Sequence, residues 1–207
     1  MAITKLSNSS LTNLNKYDSF LAGNAAYNPF PPAFESIATL TPTGGAGSAS
    51  FTSIPATYKS LQIRGIVHDN YGTDKAPNAG YDLNFIFNSD SATNYSNHYL
   101  YGNGSVAVAS GAANSSIIQL PGTNQISTAN YISVLIIDII DYADTTKYKT
   151  VRTFNGSDAN GIGTTNRCVA LNSGSWRSTS AITTIQMTAW GTGFVAGTQF
   201  ALYGIKG

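Results

Sequence analysis

An all-β fold, an antiparallel two-sheet sandwich of jelly-roll-like form with an extended N-terminal arm, is predicted by three features of the sequence. Apolar and polar residues alternate in short runs such as "YKSLQIRGIVH" and "YDLNFIFN". Clusters of Gly, Asn, Asp, Ser and Pro punctuate those runs. No segment sustains the 3.6-residue apolar period of an amphipathic helix.

Two regions are predicted, an anchoring arm over residues 1–33 and a β-sandwich domain over 34–207. The arm contains "NLNKYDSFLAGNAAYNPFPPAFES", whose aromatic residues follow neither helical nor strand spacing and whose prolines interrupt any regular element. Tyr17, Phe20, Leu21, Tyr27, Phe30 and Pro31 are its expected contact residues. Aromatic side chains bury large areas, and proline limits the entropy lost when an extended segment docks. The expected partner is another polypeptide; the alternative is that the arm covers an open sheet edge of its own domain.

From Phe34 the chain reads as strands. "FESIATLT" and "ASFTSI" flank "PTGGAGS", which predicts a hairpin. In "YKSLQIRGIVH", Leu61, Ile63 and Val67 share one face while Gln62, Arg64 and His68 share the other. Leu83, Phe85 and Phe87 point inward in the next run, with Ile86 breaking the polar side. "YISVLIIDII", residues 131–140, is nearly all apolar and reads as a central strand covered on both faces or as a subunit contact. It is about half the ~20 residues of a membrane-spanning helix. "KYKTVRTF", "RCVALNSGSW", "ITTIQMTAW" and "QFALYGIKG" supply the remaining strands.

Composition narrows the function. Of 207 residues, 42% are hydrophobic and only 10% charged, with a formal net charge of +1. That balance gives no long-range attraction for nucleic acid or an anionic membrane, and neither is an expected partner. A single cysteine, Cys168, excludes an intramolecular disulfide and a multi-cysteine metal site, and reads as a buried inert thiol. The N-terminus lacks the apolar core of a secretory signal, so synthesis in the cytoplasm is expected.

Catalysis is not predicted, and no cofactor or metal is called for. His98 and Asp90 could be written with one of the serines as a triad, but no serine lies in a nucleophile-elbow setting. Instead His98 reads as a loop histidine stacked among Tyr95, Tyr99 and Tyr101. Asp138 and Asp141, three apart in a strand, point to opposite faces, and Asp141 and Asp144 read as turn formers before Lys147. "NSDSATN" has alternating oxygen ligands but lacks the Gly and Glu of a calcium loop, and reads as an Asx-rich turn. Trp176, Trp190, Tyr95, Tyr99 and Tyr101 are candidates for a subunit interface or a glycan contact.

Taken in order, "SSLTNLNKYDSFLAGN", "FESIATLTPTGGAGSASFTSIPATYKSLQIRG", "NSDSATNYSNHYLYGNG", "SWRSTSAITTIQM" and the terminal "LYGIKG" resemble small virion structural proteins of tailed bacteriophages, of marine and cyanobacterial phages especially. The resemblance spans nearly the whole chain and implies a non-enzymatic β-sandwich displayed on the particle. It implies a capsid decoration (cement) protein, expected to be a homotrimer bound to the major capsid protein or to tail components. The alternative is a tail fibre or baseplate module that binds a host glycan. Its location would then be the virion, after synthesis in the host cytoplasm.

Overall fold

A computed structural model describes residues 33–68, 82–123, 132–158, 168–189 and 193–206. The arm residues Tyr17, Phe20, Leu21, Tyr27, Phe30 and Pro31, and also Trp190, lie outside this set. The described residues form strands and no helix. They are β1 (Phe34–Leu40), β2 (Ser48–Phe51), β3 (Ser60–Val67), β4 (Leu83–Phe87), β5 (Tyr95–Gly102) and β6 (Ala107–Ser115). There follow β7 (Ile118–Leu120), β8 (Ser133–Ile140), β9 (Lys149–Ser157), β10 (Cys168–Trp176), β11 (Ile185–Thr188) and β12 (Gln199–Ile205).

These strands make two antiparallel sheets. The larger has the order β1-β12-β3-β8-β9-β10-β5-β6 and the smaller β2-β11-β4-β7. A jelly roll is eight strands in two Greek keys; here the division is eight and four. The hairpin expected around "PTGGAGS" does not form. β1 pairs with β12 in the large sheet and β2 with β11 in the small one, so this segment carries the chain between sheets. Local turn chemistry marks a change of direction, but cross-strand packing decides which strands pair.

The core lies between the sheets and follows the period-two pattern. Leu61, Ile63 and Val67 of β3, Leu135, Ile137 and Ile139 of β8, and Leu83, Phe85 and Phe87 of β4 are all buried. Phe85 meets Phe87 edge-on at 5.4 Å between ring centroids, and Phe194 meets Phe200 at 5.5 Å in the same way. Tyr142 ties the sheet ends together: its hydroxyl accepts from the Tyr58 N–H at 3.1 Å and donates to the Pro55 carbonyl. Polar residues also enter the interior from β9 and β10. Asn155 and Asn172 donate to the carbonyls of Pro121 and Gln119, which fixes β7 and the turn after it against the large sheet.

One of two buried groups, Cys168, bears out the reading of residue chemistry from sequence; the other, Lys149, was not foreseen. Cys168 is a buried free thiol, and burial pushes its pKa up to about 12, which keeps it protonated and unreactive. Lys149, by contrast, is a cation wholly enclosed at the start of β9. Its ammonium donates to the carbonyls of Asp144, Lys147 (2.8 Å) and Thr179 (3.3 Å), closing the 141–148 turn. Desolvation pulls its pKa down, with Asp144 and Asp141 opposing that shift.

Candidate functional site

The titratable groups considered for catalysis hold structure. Asp90 is surrounded by donors: the Ala92 N–H at 2.9 Å, the Asn94 amide at 2.9 Å and the Trp176 indole N–H at 2.7 Å. Hydrogen bonds from Asn94, then Trp176 and Ala92, outweigh the opposing effect of burial and hold its pKa below the carboxylate norm. The Ala92 bond makes the expected Asx turn, with Asn88 and Ser89 in the left-handed region just before it. Asp144 likewise opens a turn, accepting from the Thr146 N–H and hydroxyl at 2.7 Å each. Asp138 projects from β8 to the outside of the large sheet and pairs with Arg152 at 2.7 Å and Gln62 at 2.8 Å.

His98 is not a loop residue among tyrosines. It lies on β5, exposed on the outer face of the large sheet, whereas Tyr95 and Tyr99 are buried on the inner face. The run around it, "NYSNHYLYGNG", is mostly this strand. Period two places His98 on the face opposite its tyrosine neighbours. Among the described residues no three His, Cys, Asp or Glu side chains gather as a metal site.

The aromatic platform also changes character. Trp176 is 2% exposed and Tyr95 is fully buried. Their rings stack at 6.3 Å and pack on Phe87. Both are therefore core residues, with no face left for a sugar or a neighbouring subunit. Tyr99 is buried too and stacks on the half-buried Tyr101 at 6.2 Å.

What sequence reasoning missed is the outer face of the large sheet. Strand registers align its side chains in cross-strand rows. One row reads Ile66, Val134, Gly156, Val169, Gly102 and Ala107 from β3 to β6. The next reads Arg64, Ile136, Phe154, Leu171, Leu100 and Ala109. The seven large apolar members of these rows are each 39–54% exposed. They lie side by side across five strands as one apolar patch of large, exposed side chains, the kind of surface that marks a contact site.

"YISVLIIDII" is thus a central strand, but among the described residues it is covered on one face only: Leu135, Ile137 and Ile139 are buried while Val134, Ile136 and Ile140 are exposed. The sequence signal lay in apolar residues at both parities of one strand, as in "SVLIIDII" and "CVAL".

Polar residues border this patch. The third row, Gln62, Asp138, Arg152, Ser173, His98 and Gly111, runs beside it. On the far side of β3, the Arg64 guanidinium lies over the rings of Phe34 and Tyr203 at 5.7 and 5.6 Å. Three hollows indent the patch: one of about 480 Å³ at its end, bordered by Gly102, Val134, Gly156 and Val169, and two smaller ones of about 260 Å³ beside Gly102 and about 240 Å³ beside Gly156. An apolar centre with a polar rim is the anatomy of a protein contact surface. No protein-family model matches the chain, and neither a curated protein nor a solved structure does.

Proposed function

We propose that this chain is a non-enzymatic structural protein of a bacteriophage virion, a capsid decoration (cement) subunit that works by holding to neighbouring polypeptides. The observation that carries the reading is the apolar outer face, seven large side chains presented on a rigid eight-stranded sheet. A surface of that size on a stiff support suits lateral packing, and symmetry multiplies a modest contact over many copies. The setting comes from the resemblance of the quoted sequence stretches to phage virion proteins. Residues 1–33 supply a second anchor, through their aromatic and proline residues. The glycan-binding alternative loses Trp176 and Tyr95, which are core residues.

The test is re-addition of labelled full-length chain to particles lacking it. Wild type is expected to bind in hundreds of copies and to raise the shell's resistance to heat. The double variant Phe154→Glu/Leu171→Glu, and a chain lacking residues 1–33, are expected to fold but bind poorly. Undiminished occupancy by both variants, or only a handful of wild-type copies, would refute the reading.

A further inference from the structure

The geometry points to a second copy of this chain as the occupant of the outer face, placed by a two-fold axis that runs along the strands between β9 and β10. This inference rests on reading the face as a contact surface, but not on the virion setting. Six strands, β3-β8-β9-β10-β5-β6, lie symmetrically about that line, three on each side. The rotation exchanges β9 with β10, β8 with β5 and β3 with β6, and returns each cross-strand row onto itself.

Under that exchange the face complements itself. Val134 meets Gly102 of the second copy, and Val169 meets its Gly156, so each valine enters a glycine hollow. The hollows beside Gly102 and Gly156 have nearly equal volumes, about 260 and 240 Å³. One row along, Ile136 meets Leu100 and Phe154 meets Leu171, apolar on apolar. The longer outward residues of β3, Arg64 and Ile66, meet Ala109 and Ala107 of β6. In the polar row Asp138 meets His98.

The remaining geometry agrees. A two-fold along the strands keeps the paired sheets aligned, as face-packed sheets require within about 30°. Seven exposed large apolar side chains from each copy, with the polar row beside them, supply the apolar centre and rim on which a standard interface of ~800 Å² per partner is built. A pair, in place of the expected trimer, follows from this two-fold complementarity.

Sedimentation of the full-length chain from about 1 to 100 µM is expected to show a monomer–dimer equilibrium. The discriminating variant is Gly102→Leu. A Cβ at Gly102 meets nothing within 4 Å in its own chain, so the thermal midpoint of the monomer, read at a concentration well below the dimer's Kd, should not move. The added side chain fills the hollow that receives Val134 and should weaken pairing by about 100-fold. The double variant Ile136→Cys/Leu100→Cys should form covalent dimers with a short bis-maleimide of about 8 Å span, which suits side chains on sheets packed ~10 Å apart, and either single variant should not. In one chain these two positions lie three strand spacings apart, about 14 Å, beyond that reach.

A monomer at every concentration, a trimer, dimers indifferent to Gly102→Leu, or linkage by the single variants would each overturn the pairing. So would a monomer destabilised by Leu171→Glu, which would mean that the chain covers this face itself. A monomer that still docks on particles through Phe154 and Leu171 overturns the pairing and leaves the contact-surface reading intact. A dimer that never binds particles supports the pairing and removes the virion reading.

Discussion

The indole N–H of Trp176, at the end of β10, donates to the carboxylate of Asp90 at 2.7 Å, so a core aromatic anchors the turn that leads into β5. The same carboxylate takes the Ala92 N–H and the Asn94 amide. Asp90→Ala should therefore cost about 1–3 kcal/mol, because it leaves the indole donor without its acceptor and unties the turn. Asp90→Asn, which keeps an acceptor oxygen, should cost less. Urea melts of both variants check the ranking; equal losses would mean that a neutral acceptor oxygen does not replace the carboxylate and that its charge carries the effect.

Tyr58 packs directly on Gly204. A Cβ at Gly204 would lie 2.3 Å from Tyr58 Cγ. The Tyr58 hydroxyl meanwhile donates to Glu35 at 2.9 Å, and Glu35 also pairs with Lys206, so the ring bridges β12 and β1. Gly204→Ala should destabilise by about 1–3 kcal/mol through overpacking. Combined with Tyr58→Ala, it should cost clearly less than the sum of the two single losses. Additive losses in a double-mutant cycle would show that the ring can swing aside freely.

Acid stability should carry a signature of Asp144. Its two hydrogen bonds from Thr146, assisted by Lys147, lower the carboxyl from an ordinary 3.8 to about 2. A pKa depressed in the folded state contributes stability that is full above the unfolded value and is lost as pH falls through about 2. The gap in thermal midpoint between wild type and Asp144→Asn should thus be widest above about pH 5 and should close towards pH 2. A gap unchanged over that range would contradict this account.

Lys149 should resist replacement although nothing about it is catalytic. Its ammonium satisfies two carbonyls in the closed 141–148 turn, those of Asp144 and Lys147, and a third at Thr179. Lys149→Met preserves much of the apolar volume but leaves those acceptors without a donor, and should cost more than about 2 kcal/mol. Lys149→Arg should also destabilise, since a planar guanidinium cannot reproduce a compact three-donor geometry. Chemical denaturation measures both; a neutral Met variant would mean that the turn carbonyls find water instead.

Much of the fold was written in the local pattern. Period-two alternation placed Leu61, Ile63 and Val67 inside, turn-forming residues marked Asp90 and Asp144, and a lone cysteine in an apolar run read correctly as buried. These features depend on a residue and its near neighbours, which is the range a sequence shows directly. Strand partners depend on residues far apart in the chain, so the hairpin expected between β1 and β2 gave way to pairings with β12 and β11. The exposed rows through Phe154 and Leu171 arise only when five or six strands from distant segments come into register. By itself the sequence determined which residues alternate, turn and bury. Only the tertiary structure decided that Trp176 lies inside and that Val134, Phe154 and Leu171 share an outer face, because a sheet's surface is assembled across strands and not along them.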